Sequence, residues 1–323
     1  MNARAFAGRL RPRNETWENL LGRLSRQSVV KHFDAYADVA WDAPENQIDP
    51  ADPRWELGAE SALGATDWYR ALPQPRRALI GLHITACQMR IGLEFESVLK
   101  RGLLEYAATL PSGAPELRYA YHEVIEEAQH SLMFNEFVRR TGLDVPGLPP
   151  AIQVAARRVV GFGRSFPELF FVFVLGGEEP IDHLQRTALG SDREIHPLLK
   201  RIMQIHVTEE ARHLCFAREY LRARVPELST FAKLRLSIAV PVILAQMANL
   251  MVKAPDHVIR TYEIPQAVID AAYRDNPEHR ARTLDGIATV RALCEDLGIV
   301  TQRSAFLWKR LGIWDERAAA RAA

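Results

Sequence analysis

Two short segments carry residue types that can hold a metal ion. The first is Glu127-Ala128-Gln129-His130. Residues on a helix advance by about 100° each, so positions i and i+3 lie about 60° apart and a carboxylate and an imidazole can reach one ion. Val124 and Phe134 share the face of Glu127, which turns the pair toward the interior. The second segment is His206-Val207-Thr208-Glu209-Glu210-Ala211-Arg212-His213. Positions i, i+4 and i+7 fall within about 60° of one another, so two imidazoles and a carboxylate share one stripe. Buried Glu and His beside aromatic residues are expensive unless neutralised or coordinated. Oxygen and nitrogen donors without thiolate suit iron. Zinc peptidase chemistry would call for His-Glu-x-x-His, which neither segment has.

Helices must present these stripes, and the chain supplies them. Residues 76–108 contain no proline, and apolar or small residues recur at Ile84, Cys87, Ile91, Val98 and Gly102, a helical period. After the break at 110–115, a second helix is expected over 116–140, stopped by Thr141-Gly142. A third helical region, 151–189, includes the apolar run Phe166–Leu175 and ends at Gly190. A fourth, 193–224, has Ser191 and Asp192 as candidate N-caps and ends before Pro226. Further helices are expected at 228–253, 265–274, 277–297 and 301–313. No strand and no repeat of fixed length is evident. The expected fold is all-α, a ferritin-like four-helix bundle core between residues 76 and 224 with additional N- and C-terminal helices. Residues 1–75, broken by Pro44, Pro50, Pro53, Pro73 and Pro75, read as an N-terminal extension packed on the core. Residues 76–323 read as the bundle domain with its C-terminal helices.

Two Glu-x-x-His motifs on two helices, with a glutamate from each of two others, is how ferritin-like di-iron carboxylate bundles hold their metals. The helix before Glu127 offers Glu94, beside Cys87, Ile91 and Val98, and Glu96, beside Leu93, Lys100 and Leu103. The more apolar company favours Glu94. The helix before His206 offers Glu178 and Glu179 at the end of a very apolar run. Periodicity leaves that choice open.

The order Glu, Glu-x-x-His, Glu, His-x-x-x-Glu-x-x-His, over about residues 80–220, resembles the p-aminobenzoate N-oxygenase family of di-iron oxygenases. The extra histidine, His206, separates that family from generic ferritin-like proteins. The resemblance implies a ligand set of three His and four Glu: Glu94, Glu127, His130, Glu179, His206, Glu210 and His213. Glu127 and Glu210 would bridge the metals, and Glu179 is taken over Glu178 on its interval to His206. The resemblance further implies two iron ions as cofactor, O2 as co-substrate, a peroxo-di-iron intermediate, and an electron-donor protein or small reductant as partner. The implied small-molecule substrate is an aromatic amine, oxidised toward hydroxylamine, nitroso and nitro products. The same site type also serves hydroxylation or desaturation of C–H bonds, or plain iron binding in a non-catalytic ferritin-like protein, and its ligand types admit manganese in place of one iron. Phe162, Phe166, Phe170, Phe171 and Phe173 are candidates to line an apolar reaction cavity, which favours catalysis over storage.

Other polar residues receive lesser roles. His122 and Glu126 are expected on another side of the second helix as outer or surface groups, and Glu123 as structural. His183 and Asp182 are weighed as groups that orient a ligand, and Arg212 as a salt-bridge partner pointing away from the metals. His196 and His257 are expected at the surface.

Composition narrows the partners. The chain has 323 residues, 48% hydrophobic and 25% charged, with a formal net charge of +1, so no global field draws in nucleic acid. Arg4, Arg9, Arg11 and Arg13 read as a frayed terminus. Cys87, Cys215 and Cys294 stand far apart, which argues for a reducing compartment and a cytoplasmic location. No secretory signal is evident. Ile238–Val252 is the most apolar run. It is shorter than the ~20 residues of a membrane span and suits a buried core helix or a homodimer interface. Without Gly-x-Gly-x-x-Gly or a P-loop, no built-in reductase is expected.

Overall fold

A computed structural model describes residues 15–314. The arginine-rich start and the Ala/Arg tail lie outside them. The long helices are α1 (Trp17–Val30), α2 (Gln74–Ala107), α3 (Pro115–Thr141), α4 (Pro150–Ser165), α5 (Pro167–Leu189), α6 (Pro197–Arg224) and α7 (Thr230–Val252). Two shorter ones, α8 (Pro277–Gly286) and α9 (Ala288–Asp296), follow. The described residues contain no strand, as expected for an all-α chain.

Local chemistry explains most boundaries. Thr16 caps α1 by accepting from the Asn19 amide, and α3 stops at Gly142, whose φ of 65° is the left-handed conformation that glycine adopts freely. The expected single helix over 151–189 is two helices. Phe166, forced out of the helical region by the following Pro167, separates α4 from α5. The fourth helix likewise starts at Pro197, with His196 rather than Ser191 or Asp192 at its cap. The expected 277–297 helix is interrupted at Ile287, and the last described helix is only Ala305–Arg310.

The bundle consists of two hairpins, α2 with α3 and α5 with α6, joined by contacts of α2 with α5 and α3 with α6. Helix α4 packs along α2, so closely that a Cβ on Gly163 would stand 2.0 Å from the Gly102 carbonyl oxygen. Helix α5 approaches α2 in the same way: a Cβ on Gly177 would overlap the ring of Phe95. The largest core cluster joins Phe95, Leu99 and Tyr106 of α2 with Phe170, Phe171 and Val174 of α5 and Phe216 and Tyr220 of α6. Helix α1 covers α3 and α6, with Trp17 stacked on Phe216 at 5.8 Å.

Helix α7 lies on α5. Its stretch Thr230–Ala248 is long and apolar enough to cross a membrane by length and composition, which the shorter run counted from the sequence is not. Leu236, Val240, Leu244 and Ala248 are nevertheless buried, while Phe231, Leu234, Ile238 and Val242 are exposed.

Candidate metal centre

The four bundle helices converge on one buried cluster of carboxylates and imidazoles. Helix α2 brings Glu96, α3 brings Glu127 and His130, α5 brings Glu178, and α6 brings His206, Glu210 and His213, all buried. His130 Nδ1 lies 2.9 Å from Glu127 Oε2, 3.4 Å from Glu210 Oε1 and 3.9 Å from Glu96 Oε1. His213 Nδ1 lies 3.0 Å from Glu127 Oε1 and 3.1 Å from Glu210 Oε1. Glu127 and Glu210 therefore sit between the two imidazoles. His206 faces the cluster with Nε2, at 3.7 Å from Glu96, 3.9 Å from Glu178 and 3.9 Å from Glu210.

The outward nitrogens of His130 and His213 are held crosswise. His213 Nε2 donates to Glu126 of α3 at 2.7 Å, and His130 Nε2 donates to Glu209 of α6 at 2.9 Å. A carboxylate behind a histidine fixes the ring and leaves its other nitrogen free for a metal. Arg212 pairs with Glu126 at 2.8 Å, and the Phe33 amide donates to Glu209 at 3.1 Å. Burial works against ionisation of Glu126, but His213 and Arg212 outweigh it and hold its carboxyl at about 2.

The inner groups are in strong conflict without a cation. Burial first, then neighbouring carboxylates, push Glu96 and Glu178 well above the usual carboxylate range, and Glu210 is raised for the same reasons. Burial also opposes the charge of Glu127, yet His213 and His130 hold it well below that range. Burial disfavours the protonated His130 ring, but Glu127 and Glu209 raise it to about 10. Glu96 Oε2, both oxygens of Glu178 and Glu210 Oε2 have no hydrogen-bond partner. Each unpaired buried polar atom costs on the order of 1–3 kcal/mol, against a net stability of roughly 5–15 kcal/mol for a whole domain. Cations in the middle would satisfy all of these atoms together. Groups of three donors lie within 4.8 Å of one another as Glu96, His130 and His206, as Glu127, His130 and Glu210, and as Glu178, His206 and Glu210. The donors are oxygen and nitrogen only, and they fit a pair of iron ions.

The family model for P-aminobenzoate N-oxygenase AurF matches residues 14–298. The chain belongs to the p-aminobenzoate N-oxygenase AurF family. Uncharacterized protein Rv0885 of Mycobacterium tuberculosis and Uncharacterized protein Mb0909 of Mycobacterium bovis are each 39% identical to it over 290 residues, which cover 90% of this chain and 85% of the relative. No solved structure matches the chain.

Within the AurF-family motif order, two of the seven expected positions lie away from the cluster. Glu94 accepts from the Leu148 amide at 3.1 Å and pairs with Arg90 at 3.1 Å; Glu96 is the α2 carboxylate among the histidines. Helix α2 packs on α3, α4 and the C-terminal segment, so apolar neighbours do not mark its inner face. Glu179 faces Arg218 at 2.7 Å; Glu178 is the α5 carboxylate at the cluster. The choice made on the interval to His206 falls one residue from the side chain that the structure turns to the cluster.

Outer residues also differ from expectation. Glu123 is buried inside the cluster, and Glu209 received no role from the sequence. The doublet Glu-Glu-Ala-x-His, present at 126–130 and 209–213, is the signal that could have found Glu126 and Glu209. His183 is exposed, Asp182 pairs with Arg186 at 2.7 Å, and Arg212 takes the expected salt bridge. His196 is fully buried against Trp55 rather than at the surface, and His257 is partly buried beside His83. Phe170 and Phe171 pack in the core; Phe173 lies 5.0 Å from Phe95.

Proposed function

We propose that this chain is an O2-dependent di-iron oxygenase that oxidises an aromatic amine at nitrogen. The observation that carries the reading is the buried convergence of Glu96, Glu127, His130, Glu178, His206, Glu210 and His213, in which Glu96, Glu178 and Glu210 keep carboxylate oxygens without a hydrogen-bond partner. These seven residues would hold the metals, Glu96 and Glu178 taking the places first assigned to Glu94 and Glu179. Two ferrous ions bound there would supply a pair of electrons to O2.

The chain's own part is positional. Glu126 and Glu209 fix the rings of His213 and His130 and keep the proton on the outward nitrogen, so the inward nitrogen presents a lone pair. Phe134, whose ring lies 5.5 Å from that of His206, sets an apolar side chain against the inner side of the centre. Lys100 donates to the Glu127 carbonyl and to Ser131, which anchors the helix turn carrying Glu127. Electrons for turnover would come from a separate donor.

Anaerobic loading with ferrous iron, then exposure to O2 with an aryl amine and product analysis, tests the reading. N-oxidised product, formed in wild type and lost in His206→Ala, is the expected result. Products oxidised only at carbon would instead favour hydroxylation or desaturation, and iron uptake with no oxidised product would favour a binding protein.

A further inference from the structure

The two motif helices repeat each other beyond Glu-x-x-His. Setting Glu127 of α3 against Glu210 of α6 also sets Glu126 against Glu209, Ala128 against Ala211 and His130 against His213. The repeat has a spatial counterpart in the crosswise bonds of Glu126 to His213 and Glu209 to His130. Four residues before the central glutamate, α6 carries His206 and α3 carries Glu123. His206 turns Nε2 toward Glu96, Glu178 and Glu210 and groups with His130 of the opposite helix. Glu123 groups, in the mirrored sense, with His213 of the opposite helix and with Glu127, their donor atoms all within 4.8 Å.

Glu123 is 1% exposed, and neither of its carboxylate oxygens has a hydrogen-bond partner. The hydroxyl of Tyr119, one helical turn earlier, is also buried without a partner. A buried carboxyl with no protein donor to accept from is a poor structural device, because its desolvation is not offset by the protein. A cation between Glu123, Glu127 and His213 offsets it directly.

We propose that Glu123 is a further metal donor, serving on the His213 side of the centre the part that His206 serves on the His130 side. Burial and the neighbouring carboxylates raise its carboxyl to about 8 in the metal-free protein, against the opposing pull of His213. The two metal positions are then unequal. The side with Glu123 offers a charged oxygen donor where the other offers a neutral imidazole, and it suits the more oxygen-preferring ion, such as manganese(II). The inference rests on the di-metal reading above.

Titration of the metal-free chain with cobalt(II), followed by visible absorption and by competition with a chromophoric chelator, tests it. Wild type should bind two ions. Glu123→Gln should keep one of them and weaken the other by about tenfold or more. Glu123→His, which copies the mirrored residue, should bind the second ion more tightly than Glu123→Gln and alter the cobalt absorption through an added nitrogen donor. Circular dichroism of the metal-free variants shows whether they fold, and if Glu123→Gln does not, the Glu123→His spectrum decides. Two ions bound by Glu123→Gln as tightly as by wild type, or a Glu123→His spectrum identical to wild type, would overturn the proposal while leaving the di-metal reading intact. Failure of wild type to bind any ion would overturn both.

Discussion

Glu94 and Glu96 stand two residues apart on one helix, yet a single helical step of about 200° separates their directions. One reaches the loop amide of Leu148 and the other the imidazoles of His130 and His206. Glu178 and Glu179 divide in the same way between the cluster and Arg218. Glutamine variants should therefore split each pair. Glu96→Gln and Glu178→Gln should lower the metal bound per chain, measured by elemental analysis after desalting, while Glu94→Gln and Glu179→Gln leave it at the wild-type level. The reverse pattern would return the assignment to Glu94 and Glu179. At this scale the sequence revealed the pairs with fixed local spacing, because i and i+3 or i+4 and i+7 on a helix determine a shared face. It did not reveal which of two nearby glutamates points inward. That depends on how α2 and α5 are rotated against several neighbours, and apolar surroundings on every side of α2 erase the clue.

The elements were legible where proline and glycine act locally. Gly142 stops α3, and Pro226 follows the end of α6, as their backbone chemistry requires. The break at Phe166 is hidden in the sequence because an apolar run masks a proline that removes only one helical bond and restricts one residue. Helix α1 lies within the proline-broken extension of residues 1–75, for which no helix boundary is read from the sequence. Its neighbouring segment is tied to α3 by Arg140, which donates to the Trp41 carbonyl at 2.9 Å and pairs with Glu136 at 2.6 Å. The bond from Arg139, opposed by burial and helped by Arg140, lowers Glu136 to about 2 from an ordinary 4.5. A depressed carboxylate contributes stability that is complete above its unfolded value and lost as pH falls through its folded one. The stability gap between wild type and Glu136→Gln should therefore be full at pH 6, narrow below about pH 4.5 and close near pH 2, as followed by denaturant unfolding at each pH. A gap that stayed constant through the acid range would show that the ion pair is not its source.

At the scale of the whole molecule, α1, α4 and α7 pack around the four bundle helices that carry the charged centre. Helix α7 buries one face on α5 and exposes Phe231, Leu234, Ile238 and Val242 on another, so composition alone could not separate a core helix from a surface one. The family match over 14–298 covers α1 through α9, which extends the likeness well beyond the motif region of residues 80–220. Four helices converge on buried carboxylates and imidazoles placed to hold a pair of metal ions. Anaerobic loading with ferrous iron, removal of loose metal, and elemental analysis against protein concentration test that role most directly. Wild type should bind about two irons per chain and His206→Ala fewer. Iron-free wild type, or a His206→Ala variant that retains the same load, would contradict it.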